Sequence, residues 1–485
     1  MPTPVIAIFD IGKTNKKLFL FDQHYRIVWE RSVQLPETVD EDGDPCEDIQ
    51  GLTNWVLETT EIALALPQFT VLALNFTTYG ASFVYVDARG QQVGPLYNYL
   101  KPFPDAIRER FLQQYGPANA LSLQTASPWL DSLNSGLMLY RIKYDKPELF
   151  QRIRYALHLP QYVSYLITGQ IASDLTSIGC HTMLWDFGAG RYHDWVVSEG
   201  LDRLLGPLFP ADEGMDATQP KPEDAEPNTA RSLRVGVGLH DSSAALIPYL
   251  ASFHEPFILI STGTWCISMN PFIETEGTGP ALTADELQHD CLCYMHYRGK
   301  SVKASRLFSG YEHEQQTKRL AAHFGVDVDH YKQVRYNASI INQLQEAAQP
   351  VHSESGSITG PAKMMSLKES PFGQRDLSRF ANYETAYHQL MLDLMAGQVL
   401  STALVLPHNE VEQPAVTRIF VDGGFSQNPL YMNLLAKAFP QVEVWAASVA
   451  QATALGAALA FHDQWNPQPV PPNLITLTHY QRLHR

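Results

Sequence analysis

The sequence predicts an α/β chain built as a duplicated unit. Three observations lead there. Short apolar strands alternate with segments of helical spacing, the signature of an α/β fold. A strand–glycine turn–strand hairpin opens the chain and starts again shortly after residue 247. The length of 485 residues is itself enough for roughly two or three domains. The expected division is therefore 1–247 and 248–485.

The first unit begins with the apolar run Val5–Phe9, passes through the turn cluster Asp10-Ile11-Gly12-Lys13-Thr14-Asn15, and resumes with apolar Leu18–Phe21. Glu47–Leu66 has helical spacing, with Ile49, Leu52, Trp55, Val56 and Ile62 on one side. Val71–Phe76 reads as a buried strand ending in Thr77-Thr78-Tyr79-Gly80. Pro207–Asn228 is rich in proline and acid but does not mark the boundary, because Arg234–Val237 reads as a strand running into the glycine turn Gly236–Asp241. The second unit starts with the strand Pro256–Ile260, the turn Ser261-Thr262-Gly263-Thr264 and the strand Trp265–Met269. Gln349–Gly373 reads as a surface loop or insertion. Tyr383, Tyr387, Leu390 and Leu394 then define a buried helix, with Pro407 beyond its end.

Composition excludes several classes. Fifty-one acidic against 35 basic residues leave a net charge of −16, and an acidic chain without a basic run is a poor binder of nucleic acid or of anionic membranes. Apolar content of 45% is ample for a large core. No stretch of about 20 apolar residues occurs; Ile62–Phe76 comes closest and is broken by Pro67 and Gln68. The opening MPTPVIAIFDIG lacks the pattern of a signal peptide. Five cysteines, an odd and sparse set, suit a reduced cytoplasmic enzyme better than a disulfide scaffold.

Three glycine turns at strand ends carry chemistry. Gly12-Lys13-Thr14 is not the tail of a P-loop, whose first glycine would fall at Ala7. What stands is an aspartate at a strand end, followed by amides and hydroxyls able to hold phosphate oxygens, with Asp10 able to hold hydrated Mg²⁺; an ordinary solvated hairpin has the same pattern. Ser261–Thr264 repeats the chemistry without a cation. Asp422-Gly423-Gly424-Phe425-Ser426-Gln427-Asn428-Pro429 ends a strand in two glycines and starts a helix, with Asn428 as its N-cap and Pro429 at the first position. A turn opening each half could together clamp a polyphosphate. In Gly236-Val237-Gly238-Leu239-His240-Asp241 the dinucleotide fingerprint fails at Asp241. That aspartate enters a small-residue helix, where the dipole favours its ionised form, and it reads equally as a general base or as a cap. The Ca²⁺-loop reading of Asp40–Asp44 fails at Pro45 and Gly51. His289, Cys291, Cys293 and His296 read as a buried strand before a zinc site. The sequons at Asn75 and Asn337 mean nothing without secretion.

Taken in order, these motifs resemble the FGGY family of carbohydrate kinases over nearly the whole chain. DIGKTNKK (Asp10–Lys17) is similar to the family's first phosphate motif, STGTW (Ser261–Trp265) to its second, and GGFSQNP (Gly423–Pro429) to its adenosine motif. HDSSAA (His240–Ala245) resembles the segment with the catalytic aspartate, Leu159–Trp195 the signature stretch of the first domain, and Gln451–Ala458 the late small-residue helix. The resemblance implies two duplicated actin-like (ribonuclease H-like) ATPase domains with an interdomain cleft, ATP and Mg²⁺ as cofactors, and phosphoryl transfer to a sugar hydroxyl. It assigns Asp241 as base, Asp10 to Mg²⁺ through water, and Lys13, Thr14, Asn15, Thr262, Gly263 and Thr264 to the phosphates. Gly423, Gly424, Gln427 and Asn428 would border the adenosine, and Thr78, Tyr79, Gly80, His240 and Asp241 the sugar. His240 before Asp241 is similar to the rhamnulokinase and fuculokinase branches, which act on 6-deoxyketoses. Gln451 stands where the family often has Glu, and Tyr97–Lys101 lacks the Asp and Arg common at that place. The rival readings are a xylulose, ribulose or polyol kinase, a non-catalytic sugar sensor, and an actin- or chaperone-like ATPase. The partner expected is a small sugar, with no nucleic acid or membrane, and a homodimer is an open assembly.

Overall fold

A computed structural model describes residues 1–217, 233–273, 282–348, 370–406 and 416–480. Most of the expected loop Gln349–Gly373, the second half of Pro207–Asn228, and Pro407 lie outside the described residues.

Among the described residues each half carries a seven-stranded sheet, and the two sheets share a central arrangement of three antiparallel and two added parallel strands. In the first, Ile27–Val33, Lys16–Asp22 and Thr3–Ile11 form an antiparallel meander, to which Phe69–Thr78 and then Arg234–Val235 add in parallel. In the second, Ser301–Leu307, Cys266–Asn270 and Phe257–Thr262 form the meander, and Arg418–Gly423 and Glu443–Ser448 add in parallel. The predicted hairpins are thus the first two strands of each sheet, paired Ala7 to Leu20 and Leu259 to Met269. Their inner strands are apolar because both faces are covered: Val5, Ile6, Ala7, Ile8 and Phe9 are all buried.

Glycine interrupts the last strand of the first half. Arg234–Val235 pairs with Ala73 and Leu74, and pairing resumes only at Leu239–His240, opposite Thr77 and Thr78. The predicted continuous strand Arg234–Val237 is therefore shorter, and Gly238, at φ 84°, makes the break.

Two helices rich in small residues fill the seam between the sheets. Asp241–Ser252 follows the first sheet and Ala452–Ala460 the second. A Cβ on Gly456 would lie 1.8 Å from the Ala244 carbonyl oxygen, so glycine is what lets these backbones touch. The exchange is mutual: Ala454, Leu455 and Ala457 join the core of Ile6, Ile8 and Ala73, while Leu246 and Tyr249 join Phe257, Leu259 and Phe420. A separate block between Phe83 and Leu205, with a three-stranded sheet and an aromatic core around Phe111, Tyr140 and Trp195, widens the first half beyond what periodicity foretells.

Candidate functional site

Each predicted turn sits at a strand end. In the first, the Gly12 amide donates to the Asn15 carbonyl at 2.9 Å, leaving Thr14 and Asn15 exposed; Asn15 Oδ1 accepts from Gln34. Lys13, expected at the phosphates, lies here among carboxylates and aromatic rings. Its ammonium lies 3.3 Å from Glu47 and 3.6 Å from Glu37, and 5.8 and 5.7 Å from the ring centres of Tyr79 and Tyr99. Glu47 is itself buried and also pairs with the buried Lys16 at 3.1 Å. Opposite charge draws Lys13 toward the Tyr79 loop.

Asp10 is the next-to-last residue of the first strand. Burial raises its pKa from 3.8 to about 6; the Thr453 hydroxyl, donating to Oδ2 at 2.9 Å, opposes the rise, and the nearby charge of Asp241 adds to it. Thr453 comes from the seam helix of the other half, so the bond spans the seam.

The second turn and the double glycine form one unit. Thr262 and Gly423 are strand partners; Thr262 Oγ1 donates to the Asp422 carbonyl at 2.5 Å and accepts from the Phe425 amide at 3.0 Å. The two glycines differ in task. Gly423 has φ 88°, and a Cβ there would lie 1.9 Å from the Thr262 carbonyl, whereas around Gly424 there is open space. Gly424, Gln427 and Asn428 line a cleft of about 370 Å³ together with Gly263 of the second turn. Its other wall is Gly310, His313, Tyr331 and Lys332. Asn428 caps the helix Pro429–Ala438 through the amides of Leu430 and Tyr431, and its Nδ2 donates to Tyr387, whose hydroxyl also meets His313 Nε2 at 3.0 Å. Burial lowers the His313 pKa to about 4, so this wall carries no imidazolium charge at neutral pH. Thr264 is exposed beside the cleft, and its carbonyl accepts from the Tyr311 amide.

Asp241 is the first residue of its helix, brought beside Thr78–Gly80 by the pairing of His240 with Thr78. Its Oδ1 accepts from the Ser242 amide at 2.6 Å and the Ser242 hydroxyl at 3.2 Å, and faces His240 Nε2 at 3.3 Å. His240 is 2% exposed, and burial holds its imidazole below the usual histidine range, against the pull of Asp241. Thr78 and Tyr79 are buried as well; the Tyr79 and Tyr99 rings meet at 6.0 Å, edge to face. Burial raises the Tyr99 pKa, and the charge of Asp241 adds to the rise.

The predicted residues therefore fall into three groups: Asp10 with Asp241; Thr78, Tyr79, Gly80 and His240 around Asp241; and Gly263, Gly424, Gln427 and Asn428 around the cleft. Thr453, Glu47, Tyr99, Gly310 and His313 are additions that sequence reasoning missed. The Gln451–Ala458 motif contained the first without indicating its hydroxyl's direction, and Tyr99 lies in a loop noted only for what it lacks. Asp40, Asp42 and Asp44 do converge, yet the buried ammonium of Lys101 fills their centre at 2.5, 3.0 and 2.6 Å. No helix among the described residues is long and apolar enough to cross a membrane.

Comparison with known proteins bears on the fold and on the family. The family model described as "FGGY family of carbohydrate kinases, N-terminal domain" matches residues 5–247, and "Carbohydrate kinase FGGY, C-terminal domain" matches 254–469. The L-fuculokinase of Salmonella typhi is 24% identical over 284 residues, 56% of this chain and 57% of that protein. The rhamnulokinase of Halalkalibacterium halodurans is 23% identical over 187 residues, 36% and 37% of the two chains. The chain thus spans little more than half of the former's length and about a third of the latter's. A carbohydrate kinase from Novosphingobium aromaticivorans superposes with TM-score 0.75 at 22% identity, covering 100% of this chain and 95% of that one. A xylulose kinase from Lactobacillus acidophilus gives 0.72 at 13% identity, covering 99% and 94%. These two share the fold.

Proposed function

The chain belongs to the FGGY family of carbohydrate kinases, and from that premise we propose that it transfers the γ-phosphoryl group of ATP to a hydroxyl of a ketose, with L-fuculose-type and L-rhamnulose-type 6-deoxyketoses as the first candidates. The observation that carries this reading is the pair of carboxylates at the seam, where the charge of Asp241 adds to the burial that raises the Asp10 pKa.

Asp241 takes the acceptor proton. Its Oδ1 is engaged by Ser242, so Oδ2 is the oxygen left to act as base, a role worth roughly 10²–10⁴ in rate. Asp10 suits a hydrated Mg²⁺: hard oxygen donors match that ion, and a buried carboxylate beside a second one is relieved by a divalent cation. Bound there, Mg²⁺ would offset the charge of the phosphates. The amides and hydroxyls of Thr14, Asn15, Thr262, Gly263 and Thr264 hold phosphate oxygens, and the cleft at Gly424, Gln427 and Asn428, with Gly423 behind it, takes the adenosine. Such transfer needs positioning and charge neutralisation more than covalent help. Tyr79 and Tyr99 pack edge to face beside this end of the site and lend it an apolar wall, which suits a deoxy carbon, and the similarity to L-fuculokinase and rhamnulokinase supports the same class. We place the domain boundary at residue 247 and the enzyme in the cytoplasm; all five cysteines are free and buried, in keeping with a reducing compartment.

The test is ADP release across L-fuculose, L-rhamnulose, D-xylulose, L-ribulose and glycerol. Many-fold stimulation by a 6-deoxyketose is expected. Activity confined to glycerol or pentuloses overturns the sugar assignment, and binding without turnover favours a sensor. Asp241→Asn should remove turnover and keep nucleotide binding; a variant with most of its rate intact places the base elsewhere.

A further inference from the structure

We propose that His240 is a positioning residue for Asp241, and that residue 80 is glycine in order to admit its ring, so that the loop after Phe69–Thr78 and the catalytic carboxylate form one rigid unit. The inference rests on the reading of Asp241 as the base.

Gly80 has no positive φ, so its backbone does not require glycine. Space does. A Cβ at this position would lie 2.7 Å from His240 Cδ2 and 2.8 Å from Nε2, distances that a real side chain cannot hold. The ring it would strike is confined from other directions too. Tyr294, from the strand Cys291–Met295 of the second half, packs at 5.3 Å between ring centres, and His181 at 6.1 Å. The His240 amide donates to Thr176 Oγ1 at 2.9 Å, fixing the backbone. The imidazole therefore has no room to turn, and its Nε2 is held 3.3 Å from Asp241 Oδ1.

The chemical consequence follows from the state of the ring. A neutral imidazole facing a carboxylate oxygen keeps its proton on that nitrogen. Nε2 at 3.3 Å and the Ser242 amide and hydroxyl then crowd Oδ1, which restrains the carboxylate from exchanging its two oxygens. Oδ2 stays directed at the acceptor hydroxyl. His240 need not touch the sugar to do this, and its 2% exposure fits that role.

Two measurements test the proposal. In steady-state kinetics, His240→Leu should lower kcat at least roughly tenfold, since small misplacements of a reacting group cost that much or more, and leave nucleotide affinity within about twofold. His240→Gln, whose amide nitrogen can occupy the Nε2 position, should recover most of the loss. The second is a double-mutant cycle on thermal stability. Gly80→Ala should destabilise the wild type but cost far less in a His240→Ala background, where the ring is gone. This cycle needs no turnover, so if no sugar is phosphorylated the kinase reading fails while the Gly80–His240 contact is still measured. Additive stability effects, a His240→Leu enzyme with unchanged kcat, or Gln and Leu variants equally impaired would each overturn the proposal.

Discussion

The hydroxyl of Thr453 donates to Asp10 Oδ2 at 2.9 Å, tying the first strand of one half to the seam helix of the other, 443 residues away in sequence. Because the bond favours the ionised carboxylate, it works against the burial that raises Asp10 to about 6. Thr453→Val removes it and moves the pKa further up. The acid limb of the kcat/KM profile should then rise by about one pH unit, the equivalent of a charge-assisted hydrogen bond of roughly 1.5 kcal/mol. Rates above pH 8 should change little. A profile that superposes on the wild type would show that Asp10 ionisation does not limit activity.

Asp10 also predicts a trade between function and stability. Its native pKa of about 6 stands above the unfolded value of 3.8, so the native state holds the proton more tightly. The favourable contribution is complete below pH 3.8 and is lost as pH rises through about 6. Asp10→Asn, which keeps an acceptor for Thr453, should therefore stabilise the ligand-free protein at pH 8 by up to about 3 kcal/mol, and by less at pH 5. Urea unfolding at the two pH values measures this, and the same variant should lose Mg²⁺-dependent turnover.

Gly423 and Gly424 should respond differently to alanine. Gly423→Ala puts a methyl 1.9 Å from the Thr262 carbonyl at φ 88°, and should cost at least about 1–3 kcal/mol of stability. Gly424→Ala meets open space and should fold normally, while its methyl enters the cleft and weakens ATP binding. Thermal melts and nucleotide titrations separate the two; equal losses of stability would contradict the geometry.

Lys13 offers a direct choice between its predicted and its observed surroundings. As part of a phosphate cradle, its loss would raise the KM for ATP. Held between Glu47, Glu37, Tyr79 and Tyr99, it braces the loops of the proposed sugar end. Lys13→Met should therefore raise the sugar KM several-fold more than the ATP KM, because Glu47 loses a partner and the two tyrosines lose the cation between them. The reverse ratio would restore the phosphate role.

Local pattern carried much of this protein. Alternating apolar strands and helical spacing announced both halves, and turn chemistry located the hairpins at Asp10–Asn15 and Ser261–Thr264. Asn428 and Pro429 marked a helix start that the structure has at that residue. These are short-range properties: strand period, cap hydrogen bonds and turn preferences are set by residues a few positions apart. The same reasoning ran the last strand to Val237, two residues past its end at Val235, and did not foresee the aromatic block between Phe83 and Leu205.

The amino-acid order by itself determined the duplicated architecture, the family, and where the glycine turns fall at the strand ends. Only the folded chain decided where the side chains point. Lys13 turns to Glu47, Thr453 reaches Asp10, Lys101 fills the ring of Asp40, Asp42 and Asp44, and Gly80 yields its space to His240. Charge attraction and steric exclusion act through distance in space, and segments hundreds of residues apart acquire that distance only when the two sheets close on their shared seam.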